Sequence, residues 1–158
     1  MKHLEIERKF LIKKIPDNLG NFVKKEIIQG YIENEDGKHF RIRKEGNVYS
    51  KTIKTGSGLI RQEDENEINK EEFEKYWKSV GNVFLEKTRY EIPYLNHIIE
   101  LDIYKGILKG LSVVEVEFDS EKDSEKFIVP DWFDKELTEN KKAKNYYLAK
   151  YGIDKELK

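Results

Sequence analysis

Acidic and basic side chains recur at every second position along several short segments of the chain, and this spacing could support chemistry. In residues 4–10, for example, the charged residues Glu5, Glu7 and Lys9 occupy every second position, and the positions between and beside them include the apolar Leu4, Ile6 and Phe10. Because successive side chains of a β-strand point to opposite faces, each such segment would place its charges on one face. The charges placed in this way are eight acids and seven bases: Glu5, Glu7, Glu63, Glu65, Glu100, Asp102, Glu115, Glu117, and Lys9, Arg41, Arg43, Lys54, Arg61, Lys87, Arg89.

This set of charges predicts a site for a metal ion and an anion. Carboxylates two residues apart on one strand point the same way and supply the hard oxygen ligands that suit Mg²⁺ or Mn²⁺. Seven bases around one cavity would repel one another unless an anion neutralised them, and a polyphosphate both binds such bases and carries Mg²⁺. For any one strand, the alternative is an ordinary antiparallel sheet whose polar face lies in water.

The alternating segments predict about eight short strands. Segments 4–10, 40–43, 100–103 and 114–118 alternate clearly, and residues 49–54, 59–68 and 86–92 lie between turn-forming stretches. Eight antiparallel strands can close into a barrel whose interior is filled by side chains. If the charged faces turn inward, they line a wet tunnel, and we therefore expect an α+β fold with a closed eight-stranded antiparallel β-barrel flanked by helices.

Three segments are predicted to be helical. Asn69 is a candidate N-cap with Glu72 three residues later, and the apolar residues that follow it keep helical spacing until Gly81. Weaker patterns predict helices in residues 17–28 and 141–151. Trp77 and Trp132 are expected to pack in the protein interior.

Composition excludes several classes of protein. Of the 158 residues, 39% are charged, yet 30 bases against 31 acids leave a net charge of −1. Such balance disfavours binding to nucleic acid or a membrane through bulk charge. The chain has no cysteine, which excludes a thiol nucleophile and a thiolate metal site. No apolar stretch approaches the ~20 residues of a membrane span. We expect a single domain over residues 1–158, in a cytoplasmic protein.

Seven short motifs resemble those of one protein family. Residues 5–9, Glu-Ile-Glu-Arg-Lys, resemble the ExExK signature of the CYTH family of triphosphate tunnel metalloenzymes, and the chain is most similar to small bacterial inorganic triphosphatases. The other matching segments are the RxR, TxK, RxExE, EKxRY, ExD and VExE strands at residues 41–43, 52–54, 61–65, 86–90, 100–102 and 114–117. Asn140 and Ala143 depart from the acid and tyrosine expected near the C-terminus, while Asn145 matches.

The resemblance implies a role for each charged residue. Phosphate would be bound by Lys9, Arg41, Arg43, Lys54, Arg61, Lys87 and Arg89. One or two Mg²⁺ or Mn²⁺ ions would be held by Glu5, Glu7, Glu115 and Glu117, with Glu100 and Asp102 as further ligands. A second metal ion, or one of Glu63 and Glu65, would orient and activate the attacking water. Lys9 and Tyr31 would assist the leaving group, although Tyr31 is equally well explained as a packed aromatic residue.

The predicted activity is therefore metal-dependent hydrolysis of a triphosphate, with inorganic tripolyphosphate giving pyrophosphate and phosphate. The alternative activities for the same tunnel are those of a class IV adenylate cyclase and of a thiamine or nucleoside triphosphatase. A polyphosphate-binding module without activity and a β-sandwich with solvated faces are the non-enzymatic alternatives. The expected partner is a small polyphosphate substrate, without nucleic acid or membrane, and the chain is a candidate homodimer.

Overall fold

The computed structural model describes residues 2–36 and 38–158. Within these ranges the chain forms nine β-strands and three α-helices, joined by turns and short 3₁₀ segments. In chain order they are β1 (Lys2–Ile12), β2 (Val23–Glu33), β3 (His39–Glu45), β4 (Val48–Thr55), β5 (Ile60–Ile68), α1 (Lys70–Trp77), β6 (Phe84–Tyr94), β7 (His97–Tyr104), β8 (Ser112–Phe118), α2 (Glu121–Lys126), β9 (Phe133–Glu136) and α3 (Asn145–Tyr151).

Eight of the strands close into an antiparallel barrel, which confirms the predicted fold. Their order is β5-β4-β3-β2-β6-β7-β8-β1, and a further pairing between β1 and β5 closes the ring. The closure depends on the length of β1, which pairs with β5 through residues 2–6 and with β8 through residues 6–11. The ninth strand, β9, adds to the end of β1 at Phe10 and Ile12.

The interior of the barrel changes from apolar at one end to charged along the rest of its length. In β8, Val113, Glu115 and Glu117 follow one another on the inner face, and Leu85 precedes Lys87 and Arg89 in β6 in the same way. The apolar end is filled by a buried cluster that includes residues of α3: Tyr31, Leu85, Tyr104, Val113, Leu148 and Ala149. This packing leaves the charged stretch of the barrel as a cavity.

Two apolar clusters cover the outside of the barrel. Helix α1 packs Phe73 against Ile42 of β3, and Trp77 stacks on Phe73 with ring centroids 5.5 Å apart. The second cluster joins apolar side chains of β7 and β8 to Phe127, Trp132 and Phe133, at and just before the start of β9. Within it, Trp132 contacts Phe133. Both tryptophans are packed, as predicted. No helix among the described residues combines the length and the apolar character needed to cross a membrane.

The helical predictions were partly wrong. The structure confirms α1, which begins at a capping box formed by Asn69 and Glu72, and it confirms a helix within residues 141–151. The helix predicted over residues 17–28 is wrong, because a 3₁₀ turn at Leu19–Asn21 is followed directly by β2. Strand β2 is required for closure, since it joins β3 to β6 through two antiparallel ladders.

Candidate active site

The barrel encloses a cavity of about 590 Å³ into which most of the predicted site residues project. Fourteen of the sixteen residues that the sequence singled out line it: Glu5, Glu7, Lys9, Tyr31, Arg41, Arg43, Lys54, Arg61, Glu63, Glu65, Arg89, Glu100, Glu115 and Glu117. These residues come from all eight barrel strands. The charged face of the strands therefore turns inward, as the tunnel interpretation requires.

Lys87 and Asp102 share the inward faces of their strands but lie deeper in the barrel than the cavity, and both side chains are completely buried. The Lys87 ammonium donates to Asp102 Oδ2 over 2.7 Å. Arg89 donates to the same carboxylate through Nε at 2.7 Å and Nη2 at 2.9 Å. Both oxygens of Asp102 are thus occupied by cationic groups of the protein. This geometry places Asp102 as a support for Arg89 rather than as a ligand facing the cavity.

Around the cavity, several carboxylates are paired with bases. Arg61 donates to Glu5 over 3.0 Å and also to Glu7. Lys54 lies between two acids, with its Nζ 3.1 Å from Glu5 Oε1 and 3.2 Å from Glu63 Oε2. These pairs neutralise charges that would otherwise repel in a poorly hydrated space.

Lys9 is held from two sides. Its Nζ donates to the main-chain oxygen of Ala143 over 3.0 Å and lies 3.3 Å from Glu115 Oε1. The contact with Ala143 links β1 to the segment before α3, so the C-terminal part of the chain fixes one of the cavity's ammonium groups.

Another part of the wall carries Arg43 and Arg41, whose Nη2 lies 3.5 Å from Glu65 Oε2. Arg43 donates to the side-chain oxygen of Gln29 over 3.0 Å, and within the described ranges it forms no ion pair with a carboxylate. Burial, together with the charges of Arg41 and Arg89, lowers the pKa of Arg43 to about 10. The Nε atoms of Arg41 and Arg61 are buried and have no hydrogen-bond partner in the described part of the chain. This wall is built to receive an anion.

Other groups in the cavity favour a cation. Burial raises the pKa of Glu7 to about 8, and the carboxylates of Glu115 and Glu5 add to this effect. Burial and the neighbouring Glu5 and Glu63 also raise the pKa of Glu117. Carboxylates that resist ionisation next to one another are stabilised by a divalent ion. The donor set is therefore suited to Mg²⁺ or Mn²⁺.

Tyr31 has the geometry of a proton donor. It is buried at the boundary between the apolar cluster and the cavity, and its hydroxyl accepts a hydrogen bond from Gln29 Nε2 over 2.9 Å. Because Gln29 supplies the donor in that contact, the hydroxyl hydrogen of Tyr31 can point elsewhere. Burial raises the pKa of Tyr31, so the hydroxyl keeps its proton at neutral pH.

Sequence reasoning missed several residues that line the cavity. His3 and Glu45 share the inward positions of Glu5 and Arg43, so strand alternation could have found them. Lys25 was missed because its strand was predicted to be helical. Five lining residues near the C-terminus come from outside the barrel strands, so strand alternation could not predict them. They are Lys141, Lys144, Asn145, Tyr146 and Tyr147. Thr52, His39 and Gly56 complete the lining.

The chain is similar to known proteins over nearly its whole length. A family model for the CYTH domain matches residues 3–147. An inorganic triphosphatase of Nitrosomonas europaea is 42% identical over 148 residues, which cover 92% of this chain and 96% of that protein. An inorganic triphosphatase of Acetivibrio thermocellus is 30% identical over 149 residues, covering 92% of this chain and 93% of that protein. The crystal structure of an inorganic triphosphatase superposes with a TM-score of 0.69 at 38% identity, covering 92% of this chain and 97% of that chain.

Proposed function

Because the chain belongs to the CYTH domain family, we propose that it hydrolyses inorganic tripolyphosphate to pyrophosphate and phosphate with the help of a divalent metal ion. The observation that carries this proposal is that one cavity holds both an arginine that pairs only with an amide among the described residues, Arg43, and two neighbouring carboxylates that share one arginine, Glu5 and Glu7. A polyphosphate bound together with a metal ion supplies what each of these groups lacks. The two relatives named above, both inorganic triphosphatases, support the same substrate.

The phosphates are bound by the arginine wall. Arg41 and Arg43 present guanidinium groups that can grip phosphate oxygens in a bidentate manner, and Arg89 is held in place by Asp102. Lys9, Lys54 and Arg61 complete the set of phosphate-binding residues. Lys87, which the sequence placed in this set, contributes from deeper in the barrel by fixing Asp102.

The metal would be held by carboxylates that line the same cavity. Glu5, Glu7, Glu115 and Glu117 are its proposed ligands, with Glu100 as a further candidate, and one or two Mg²⁺ or Mn²⁺ ions are expected. The bound ion supplies Lewis-acid polarisation of the phosphate oxygens. If Glu5 and Glu7 held the metal, Arg61 would lose its carboxylate partners and Lys54 would keep only Glu63, so both bases would be available to bind phosphate. Exchange of partners thus links metal binding to substrate binding.

Water attacks the terminal phosphorus, and the bond to the bridging oxygen breaks. Glu63 is buried and lines the cavity, and it is the proposed acceptor of the proton of the attacking water. Glu65 is more exposed, and Thr52 donates to it over 3.2 Å, so it serves less directly. Pyrophosphate leaves with a negative oxygen, which Lys9 neutralises and Tyr31 protonates.

The role of Tyr31 is tested by Tyr31→Phe. The variant removes the hydroxyl and keeps the ring in the apolar cluster, so the fold should persist. We expect kcat for tripolyphosphate to fall by about a hundredfold, because general acid catalysis contributes on that order. An unchanged kcat would show that Tyr31 is only a packed aromatic residue.

The substrate is tested by measuring phosphate release from tripolyphosphate, ATP and thiamine triphosphate under the same metal concentration. We expect kcat/KM to be highest for tripolyphosphate. Faster turnover of ATP, or formation of cyclic AMP, would contradict the proposal and favour the nucleotide alternatives.

Catalysis and simple binding are separated by the double variant Glu115→Gln and Glu117→Gln. If the protein is an enzyme, hydrolysis should be lost, while bound tripolyphosphate still raises the melting temperature. If tripolyphosphate raises the melting temperature of the wild type but no phosphate is released at any metal concentration, the protein is a binding module.

Homodimer formation and a cytoplasmic location stay predictions.

A further inference from the structure

His3 lies next to the carboxylate cluster, at the solvent-exposed end of the cavity. It precedes Glu5 by two residues in β1, so both side chains point into the barrel. One ligand atom from each of His3, Glu5 and Glu117 can be chosen so that all three lie within 4.8 Å of one another. A single ion placed between them would therefore reach all three donors.

A fourth residue points to a missing ligand at the same place. Glu63 is the partner of His3 in the β1–β5 ladder, and its Oε1 lies 3.6 Å from His3 Nε2. The Glu63 side chain is only 6% exposed, yet its Oε2 accepts no hydrogen bond from the described residues, and its near neighbour is the Lys54 ammonium at 3.2 Å. Lys54 partly neutralises this buried oxygen, and a metal ion would supply the further interaction that it lacks.

The local charge balance leads to the same conclusion. Three carboxylates meet here, from Glu5, Glu63 and Glu117. Lys54 is shared between the first two and Arg61 also pairs with Glu5, whereas among residues 2–36 and 38–158 no base forms an ion pair with Glu117. The imidazole of His3 adds a nitrogen donor rather than a further oxygen. A site of mixed nitrogen and oxygen donors results.

We propose that His3 is a metal ligand through its imidazole and that it biases this site toward transition-metal ions such as Mn²⁺ and Co²⁺ over Mg²⁺. The inference rests on the proposed metal-dependent function and specifies which ion that function prefers. Imidazole suits first-row transition metals, whereas Mg²⁺ is a hard cation that favours oxygen ligands and retains its waters. Removing the nitrogen donor should therefore weaken Mn²⁺ binding more than Mg²⁺ binding.

The test uses the metals alone, without substrate. Mn²⁺ and Mg²⁺ dissociation constants are measured by calorimetry for the wild type, for His3→Ala, and for a double variant His3→Leu, Leu4→His. The double variant keeps the composition but moves the imidazole to the outer face, where Leu4 is 67% exposed. Because the His3 side chain is 46% exposed, neither change should disturb the fold, and melting curves of the metal-free proteins check this.

Electron spin echo spectroscopy of bound Mn²⁺ gives a second readout, since a coordinated imidazole nitrogen modulates the echo. We expect this signal in the wild type and its loss in both variants, together with a drop in Mn²⁺ affinity of about tenfold and in Mg²⁺ affinity of less than about threefold. A wild-type spectrum without nitrogen coupling, or equal losses for both metals, would overturn the proposal. If hydrolysis of tripolyphosphate still requires a metal in that case, only the role of His3 fails and the proposed function stands.

Discussion

The buried carboxylate of Asp102 offers a sharp test of how the cavity wall is built. We predict that Asp102→Asn lowers the free energy of unfolding by about 3–5 kcal/mol, because breaking a buried ion pair leaves an uncompensated charge. Asp102 accepts three hydrogen bonds of 2.7–2.9 Å, from Lys87 Nζ and from Nε and Nη2 of Arg89. The asparagine has nearly the same shape, but its NH₂ group must face one of these donors.

The size of the effect follows from burial. Lys87 and Asp102 are both 0% exposed, so water cannot replace the lost partner, and two cations are left with weaker acceptors. Glu100→Gln is the matched control, because Glu100 contacts the same arginine through a single hydrogen bond of 3.1 Å and is 29% exposed. For this control we expect a loss of about 1 kcal/mol or less.

Urea unfolding of the metal-free proteins at neutral pH measures both variants. The reasoning would be refuted if Asp102→Asn unfolded within about 1 kcal/mol of the wild type. If that variant kept its stability but lost Mn²⁺ affinity, Asp102 would instead be the metal ligand that the sequence predicted.

Three further predictions concern the apo protein and its packing. Burial, with Glu115 and Glu5, raises the pKa of Glu7 from 4.5 to about 8. Between these pH values the folded state holds a proton that the unfolded state has lost, so the melting temperature of the metal-free protein should fall as pH rises through that range. In Glu7→Gln this decline should be smaller. Gly30→Ala should cost about 1–3 kcal/mol by urea unfolding, because the added Cβ would lie 2.6 Å from Val80 and 2.9 Å from Trp77; an unchanged midpoint would show that α1 moves freely away from the barrel. Asn69→Ala removes the capping box of α1 and should cost about 1 kcal/mol in the same assay, whereas Asn69→Ser should restore most of the loss.

Most of the barrel and the direction of its charged side chains could be predicted, because alternation in a strand with one apolar and one charged face is easy to detect. Strand β2 could not be predicted in this way. Apolar side chains on both faces of β2 are covered. Ile27 points into the barrel and is buried there, whereas Ile28 and Ile32 point outward and pack under α1. A strand that is covered on both faces shows no apolar–polar alternation, and its lysines and glutamate favour a helix.

Alternation also gives the direction of a side chain without its depth along the barrel. Glu100 and Asp102 share one face of β7, yet the first lines the cavity and the second is sealed behind it by Tyr104 and the apolar cluster. That difference depends on where α3 fills the barrel. Because α3 reaches its position through the tertiary fold, the sequence pattern of β7 contains no information about it.

The near cancellation of charge inside the cavity predicts that metal and substrate bind cooperatively. Nine lysines and arginines and eight glutamates line the cavity, so neither a free polyanion nor a free cation meets a strong opposite field, and each must first break pairs such as Arg61–Glu5. On the proposed mechanism, the carboxylates would turn to the metal and the bases to the phosphates when both bind. We expect tripolyphosphate and Mg²⁺ together to raise the melting temperature by more than the sum of their separate effects. Because such coupling is reciprocal, Mg²⁺ should tighten tripolyphosphate binding by the factor by which tripolyphosphate tightens Mg²⁺ binding. Simple additivity, once binding of Mg²⁺ to tripolyphosphate in solution is subtracted, would contradict the exchange of partners.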